Sequence, residues 1–251
     1  MPGSSAISIA TIQRAIRCNH GTRLAPYTTI LPKPLMPVGD KPILDIVISQ
    51  LRHYGFSEIT LAVGYLSELL MAYFGDGSRF GVSITYSHED RPLGTAGPIA
   101  LIENLDEPFL VMNGDVLTTL DFGDLMRFHH TGGSVATITT FERNVKIDLG
   151  VLEFDDQANL AAYIEKPTHH YFVSMGIYVF DPRARSYIPR GERLDLPDLM
   201  RAMMAQGETV RCYRCEGYWL DIGRIDDYQQ AVEDFEQNRA RFLPWEQEAQ
   251  G

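Results

Sequence analysis

Two cations stand on one stiff loop: the stretch from Gly21 to Pro37 (GTRLAPYTTILPKPLMP) carries Arg23 and Lys33 among four prolines, directly ahead of an apolar helical pattern. Such a loop suits an anion, a phosphate first among them, because the prolines fix its course and long ordered loops are commonly functional. A plain connector is the competing reading. Two carboxylates have matching settings: Asp115 follows Phe109-Leu-Val-Met112 through Asn113-Gly114, and Asp221 follows Tyr218-Trp-Leu220 and precedes Ile222-Gly223. Strand-end carboxylates that converge can hold Mg2+, which takes oxygen ligands and sits between one or two carboxylates and substrate phosphates. Taken singly, each also reads as a turn aspartate bonded to its own backbone.

Two further stretches carry polar chemistry. The segment Glu89–Gly97 (EDRPLGTAG) is a glycine-bearing turn expected to enter a helix at Ala96, with Gly94 and Gly97 allowing close backbone approach. Open amides at that helix start would suit an acceptor-rich ligand such as a base or phosphate, and a simple helix cap is the alternative. Ile164-Glu-Lys-Pro167 closes a strand with a Glu165–Lys166 pair, which reads equally as a solvated ion pair. Cys212-Tyr-Arg-Cys215 lacks a second pair or a His-rich partner and lies in a strand-like run, which argues against zinc or redox work. His129-His130 and His169-His170 are adjacent pairs that diverge on a helix or strand, so surface positions are expected for them.

The elements that must position these residues alternate. Lys41–Tyr54 has Pro42 near its start, apolar residues at helical spacing and Gly55 as its stop, and Trp219 reads as core beside Asp221. Strands are expected over 59–63, 82–86, 109–112 and 135–140, with helices over 67–74 and 121–130 between them. That strand–helix rhythm belongs to a parallel sheet, whose ligands bind past the carboxyl ends of the strands. From 149 to 180 the texture changes to strands with little helix (150–154, 160–164, 172–180), an antiparallel or mixed extension covering one side of the site. A helix at 196–204, strands at 209–214 and 218–220 and a helix from 225 to 241 complete the pattern, and the residues after Leu243 read as a mobile polar tail. Residues 1–20 are ambiguous: Ile7 and Ile9 could start a strand, but Arg14 and Arg17 interrupt any buried run.

Composition bounds the rest. With 251 residues, 45% of them hydrophobic and 22% charged, the chain can bury a substantial core, and one domain over 1–243 with a tail at 244–251 is expected. No apolar run approaches the roughly 20 residues that span a bilayer, and no signal-peptide pattern opens the chain. Three cysteines, Cys18 among them, are too few for a disulfide framework, so a cytoplasmic protein is expected. A net charge of −11 argues against a nucleic-acid surface, so small phosphorylated ligands would need local cations or a divalent metal.

These stretches together resemble the sugar-1-phosphate nucleotidyltransferases that make nucleotide sugars, and most of all their mannose- and heptose-1-phosphate guanylyltransferases. The resemblance is carried by GTRLAPYTTILPKPLMPVGDKPI at 21–43, EDRPLGTAGPI at 89–99, VMNGD at 111–115, LGVLEFD at 149–155, YIEKP at 163–167, GIYVFDP at 176–182 and YWLDIGRIDDY at 218–228. It implies an α/β fold with a Rossmann-like, mainly parallel mixed sheet flanked by helices. It also implies catalytic roles for Arg23 and Lys33 on the triphosphate, and nucleotide contacts from Gly21, Thr22, Pro92, Gly94, Thr95, Asn113 and Gly114. Sugar-phosphate contacts would come from Gly150, Glu165, Lys166 and Ser174, and Mg2+ would be held by Asp115 and Asp221. The implied reaction joins an NTP (GTP first, UTP or CTP as alternatives) to a hexose- or heptose-1-phosphate, giving an NDP-sugar and pyrophosphate, with a homo-oligomer open as an assembly state.

The chain departs from the family pattern at one place: Cys18 and Asn19 stand where two glycines are expected before Gly21. Glycine there permits close approach of the backbone to a base or phosphate. Ser174 is a smaller departure, where many members carry Asn. A reading from a second class therefore stands beside the enzyme: a regulatory protein that binds nucleotide or nucleotide sugar without turnover. A Rossmann oxidoreductase lacks the GxGxxG it would need.

Overall fold

The computed structural model describes residues 8–12, 31–64 and 66–248. In chain order these form β1 (Ser8–Ile12), β2 (Pro37–Val38), β3 (Lys41–Pro42), α1 (Ile43–His53), β4 (Glu58–Val63), α2 (Ser67–Phe74), β5 (Ser83–His88), β6 (Phe109–Met112) and β7 (Val116–Thr118). There follow α3 (Phe122–Gly132), β8 (Ala136–Lys146), β9 (Val151–Phe154), β10 (Leu160–Ile164), β11 (Thr168–Phe180), α4 (Leu196–Ala205), β12 (Val210–Cys215), β13 (Trp219–Asp221), α5 (Ile225–Phe242) and α6 (Trp245–Glu248). Seven strands make one sheet in the order β12-β8-β11-β6-β1-β4-β5. Every neighbouring pair is parallel except the two that involve β11, so the sheet is mixed and mainly parallel, as the sequence implies.

The sheet lies between two apolar layers, and β6 shows why its sequence is uninterrupted. Leu110 and Met112 face the layer built from α1, α2 and α3, while Phe109 and Val111 face the layer built from α4 and the segment 96–105. A strand buried on both faces has no use for polar alternation. Helix α1 is likewise apolar on two sides: Leu44, Val47, Ile48 and Leu51 join the first layer, and Ile43 and Ile46 join a third cluster with Leu117, Phe235 and Phe242. It ends where Gly55 takes φ +89°, with Phe56 N donating to Leu51 O (3.0 Å) and Gly55 N to Arg52 O (3.0 Å), which closes the helix in a Schellman turn.

Strand β1 settles the ambiguous N-terminus in part. The described residues Ser8–Ile12 lie between β4 and β6, parallel to both, and Arg14 and Arg17 lie outside the described residues. The chain runs from β1 outward through β4 and β5, then returns to place β6 on the other side of β1, so the strand order reverses between β1 and β6. In open α/β sheets the ligand crevice opens past the carboxyl ends at such a reversal, and Asn113-Gly114-Asp115 follows β6 at that place. Among the described residues no helix is long and apolar enough to cross a membrane.

Three expectations are corrected. The helix expected at Ala96 is a short 3-10 turn, Gly97–Leu101, with Pro98 in its first turn. Residues beyond Leu243 do not all form a loose tail: Trp245 stacks on His53 with ring centres 4.3 Å apart, and Glu246 bonds Arg239 Nε at 2.8 Å and pairs with Lys41 at 3.5 Å, so α6 is anchored by an aromatic ring and two ion pairs that a polar composition hides. His129 is not a surface residue: it is 3% exposed on the inner face of α3 and shares a 2.8 Å hydrogen bond with Thr137 Oγ1, while His130, His169 and His170 are exposed as expected.

Burial pushes the His129 imidazole down to about 4, aided by its His130 neighbour. The unfolded chain therefore takes up a proton that the folded chain refuses, so stability falls as pH drops through the ordinary value of 6.5 and continues to fall toward about 4. Between pH 7 and pH 5 this linkage costs about 2 kcal/mol. The loss should shrink by about that amount in His129→Gln, measured by urea unfolding of both proteins at the two pH values.

Candidate active site

The two strand ends that carry Asp115 and Asp221 meet through backbone pairing. Strand β7 runs antiparallel to β13 with Asp221 opposite Val116, and Ile222 N donates to Asp115 O at 3.2 Å. Residues 115 and 221, distant in sequence, are thereby neighbours at the mouth beyond β6. The ribbon is reinforced by Thr119 N to Tyr218 O (3.0 Å), Tyr218 N to Thr119 Oγ1 (2.9 Å) and Thr118 Oγ1 to Tyr218 O (2.8 Å).

Lys33 completes this group. It opens a short 3-10 turn, Lys33–Leu35, whose Leu35 and following Met36 are buried, and Ile43 N donates to Met36 O at 3.0 Å. The turn is thus anchored on both sides, and the Lys33 ammonium forms an ion pair and hydrogen bond with Asp115. Both side chains are largely shielded, at 15% and 17% exposure. A cation on the proline loop facing a strand-end aspartate is the arrangement expected from the sequence. Gly21, Thr22 and Arg23, with Cys18 and Asn19, lie outside the described residues.

A bulge in β11 gathers the next residues. Opposite β8, the register shifts between Ser174, which faces Thr140, and Tyr178, which faces Ile138. Within this excursion Gly176 takes φ +73° and accepts from Asn113 N at 3.0 Å, and Met175 O accepts from Trp219 Nε1 at 3.0 Å. The bulge therefore ties β11 to the Asn113 end of β6 and to β13. Ser174 Oγ, expected on the sugar side, already shares a 2.8 Å hydrogen bond with Tyr178 Oη and accepts from Gly176 N at 3.2 Å. Burial raises the Tyr178 phenol, so it stays protonated.

The other sugar-side residues occupy an exposed arm. Strands β9 and β10 pair only with each other, and Ile164 opposite Val151 brings Gly150 and Glu165 to the same end of the hairpin. A Cβ at Gly150 would sit 2.5 Å from Tyr163 Oη, so this glycine accommodates the tyrosine. Glu165 and Lys166 pair at 3.9 Å and are more than half exposed, which is the geometry of a solvated ion pair, and Lys166 is left-handed at φ +46°.

The turn carrying Pro92, Gly94 and Thr95 differs from its expected form. Open amides at a helix start are not what it offers. Thr95 N donates to Asp195 Oδ1 (3.0 Å), and Ala96 N and Gly97 N both donate to Leu194 O (2.9 and 3.1 Å). Leu93 N donates to Glu89 Oε2 at 2.8 Å, a carboxylate that burial raises and this bond lowers in turn. Gly94, at φ +80°, is required by the close approach of the Leu194 carbonyl.

Two residues outside the motifs help to hold the site. Gln50 on α1 donates through Nε2 to Thr118 O (2.7 Å) and Phe242 O (3.1 Å), linking α1, β7 and the end of α5. Asp195 reads in sequence as an ordinary helix cap, and Gln50 as one polar residue in an apolar helix, so only the burial of Gln50 on the core face of α1 could have drawn attention to it. Cys212 is exposed and Cys215 buried on opposite sides of β12, so the pair cannot converge on one metal or disulfide.

As for a metal, no group of three or more His, Cys, Asp or Glu side chains among the described residues could hold an ion. Asp115 and Asp221, on paired strand ends, nonetheless offer the hard oxygen ligands that Mg2+ takes, its shell being completed by water and phosphate.

The mainly parallel mixed α/β sheet, with a lysine and two aspartates beyond its switch point, has the nucleotide-diphospho-sugar transferase fold. The chain belongs to the nucleotidyl transferase family, whose sequence pattern matches residues 19–238. It is 34% identical over 237 residues to a UTP–glucose-1-phosphate uridylyltransferase from Synechocystis, covering 86% of this chain and 61% of that protein. It is 33% identical over 216 residues to the mannose-1-phosphate guanylyltransferase catalytic subunit beta of Dictyostelium discoideum, covering 83% of this chain and 60% of that one. The chain thus spans about three fifths of the length of these relatives. Among solved structures, HddC from Yersinia pseudotuberculosis superposes with a TM-score of 0.67 at 23% identity, over 91% of this chain and 99% of that one.

A side chain at Gly176 tests the bulge. A Cβ there would lie 2.6 Å from Asn113 Nδ2, and the left-handed φ penalises alanine. Gly176→Ala is expected to lose about 1–2 kcal/mol, the cost of a left-handed non-glycine residue, in chemical denaturation. Its crystal structure should show the Asn113 amide turned away.

Proposed function

We propose that this chain transfers a nucleotidyl group from a nucleoside triphosphate to a sugar 1-phosphate, releasing pyrophosphate. The observation that carries this reading is the Lys33–Asp115 pair beside Asp221 at the sheet's switch point, in a chain of the nucleotidyl transferase family. A phosphate oxygen of the sugar phosphate attacks the α-phosphorus in line, the bond from that phosphorus to the bridging oxygen of pyrophosphate breaks, and pyrophosphate carries the electron pair away. The nucleophile is already an anion, so no general base is needed. Catalysis is positioning and the neutralisation of charge.

In this reading Lys33 and Arg23 hold the triphosphate and offset the charge that grows on the leaving oxygens. Asp115 and Asp221 would hold Mg2+, and the ion when bound supplies further neutralisation of phosphate charge. The turn at Pro92, Gly94 and Thr95, with Gly21, Thr22, Asn113 and Gly114, meets the nucleotide, while Gly150, Glu165, Lys166 and Ser174 meet the sugar phosphate. We infer one domain over 1–243. GTP is the first choice of nucleotide, supported by the texture of the turn and by the names of the guanylyltransferase relatives, with UTP next because a uridylyltransferase is equally similar. A second reading, binding without turnover, is favoured by Cys18 and Asn19 at the start of the family match.

Pyrophosphate release is to be measured over a panel of NTPs and hexose 1-phosphates with Mg2+. Turnover with at least one pair is expected, abolished by EDTA and restored by Mg2+. Lys33→Ala should lower kcat by about 10²-fold, the usual cost of one charge-stabilising donor. Asp115→Asn and Asp221→Asn should each weaken the Mg2+ dependence as well as the rate. If no pair turns over while NTP still binds, the regulatory reading replaces the enzyme. Unchanged rate and Mg2+ dependence in both aspartate variants would sink the metal assignment.

A further inference from the structure

An aspartate that opens a helix ordinarily turns its carboxylate onto that helix's own second or third amide. Asp195 opens α4 and makes no such bond. Its Oδ1 instead accepts from Thr95 N at 3.0 Å and from Thr95 Oγ1 at 3.4 Å. The Thr95 hydroxyl in turn accepts from Leu196 N, the first amide of α4, at 2.8 Å. Two segments a hundred residues apart have exchanged caps.

The exchange is embedded in a seam. Leu194 O receives Ala96 N and Gly97 N, Leu194 N donates to Leu93 O at 2.9 Å, and Arg91 Nη2 donates to Gly191 O at 2.7 Å. A Cβ at Gly94 would lie 2.5 Å from Leu194 O and 2.8 Å from Asp195 Oδ1, so the two backbones lie as close as glycine allows. The second carboxylate oxygen of Asp195 pairs with Arg193 at 3.1 Å. Within the seam, the bonds at Thr95 and at the start of α4 converge on one carboxylate oxygen and one hydroxyl. Asp195 diverts its carboxylate from its own helix, and a partner supplies the missing cap. A carboxylate that served only α4 would have no reason to do so.

We propose that Asp195 is a positioning residue for the turn Pro92–Gly97, and that it sets affinity for the nucleoside triphosphate without touching it. This rests on the reading that the turn meets the nucleotide. The charge-assisted bond to Thr95 N fixes the peptide that follows Gly94, which is the part of the turn a ligand approaches. Losing it leaves the turn held at Leu194 and free to shift at Gly94 and Thr95. Gly150, Glu165 and Lys166 lie on or beside the β9–β10 hairpin, whose strands pair with each other and not with the elements of this seam.

The decisive variant is Asp195→Ser, because serine can cap α4 locally and keep the helix while falling short of Thr95 N. Calorimetric titration with GTP and with UTP, each with Mg2+, should show the tighter of the two weakened about tenfold. The KM for sugar 1-phosphate should stay within about twofold. Asp195→Asn, which keeps the acceptor, should bind within about twofold of the parent. Thr95→Val, which removes the hydroxyl and leaves Asp195 in place, should weaken NTP binding about threefold and decides the matter should Asp195→Ser fail to fold. Unchanged NTP affinity in a folded Asp195→Ser or Thr95→Val protein overturns the proposal, as does an equal rise in both substrate constants, which a purely structural role would give. Gly94→Ala separates this from the reading beneath it. If that variant folds and binds both nucleotides normally, the turn is not at the nucleotide. If it weakens binding while Asp195→Ser does not, the role of Asp195 alone is refuted.

Discussion

The pairing of β7 with β13 is the constraint on which the site depends. Backbone hydrogen bonds, indifferent to side-chain charge, put Asp221 opposite Val116 and beside Asp115. Two carboxylates on paired strand ends repel each other. The Lys33 ammonium at Asp115 offsets that repulsion, which in turn demands that a loop from far upstream be delivered to this spot. Pro34, with Leu35 and Met36 buried just after Lys33, fixes that delivery. The loop, the two strand ends and the acidic pair are therefore parts of one electrostatic arrangement.

What keeps the ribbon in register is packing and one amide. Leu117 on β7, Ile222 after β13, and Phe235, Phe242 and Leu243 of the C-terminal helical region share a cluster with Ile43 and Ile46 of α1. Gln50 adds two buried hydrogen bonds from the same helix to Thr118 O and Phe242 O. Removing its amide would leave two carbonyls without that donor, which costs more than the bonds themselves contribute. Arg239 binds Asp40 on the loop between β2 and β3 and Glu246 on α6, so the end of the chain is fastened to the segment that leads from Lys33 into α1.

Much of this was legible in sequence because it follows from burial. The unbroken apolar run Phe109–Met112 signals a strand covered on both faces, and the carboxylate just past its end marks the mouth of a parallel sheet. Charge and loop stiffness mark Lys33 as a candidate for phosphate, but not its pairing with Asp115, which only the fold shows. What was not legible depends on partners distant in sequence. The strands β8 and β11 run well past their expected ends because residues 142–146 and 168–172 pair with each other in solvent, where no apolar pattern records them. The anchoring of α6 rests on contacts of Trp245 and Glu246 with residues far upstream or across a turn, and the inward turn of His129 is met by Thr137. Asp195 is the sharpest case, since its sequence setting is that of a helix cap and its carboxylate serves another segment.

The two halves of the site are held by different physics. At the strand end Lys33 and Asp115 are largely shielded and already paired with each other, while Asp221 is exposed. The arm that carries Gly150, Glu165 and Lys166 is a two-stranded hairpin with Leu152, Phe154, Leu160 and Tyr163 exposed. An isolated hairpin of that size is marginal in water, and this one stands because it grows from the long β8–β11 ribbon. The ribbon reaches the strand end through the bulge between Ser174 and Tyr178, where Gly176 meets Asn113 and Met175 meets Trp219. That bulge is consequently the joint through which the arm's position is referred to the carboxylates. Two extra residues of strand do there what a longer loop could not, since the Gly176 carbonyl is held by the Asn113 amide and the Met175 carbonyl by the Trp219 indole.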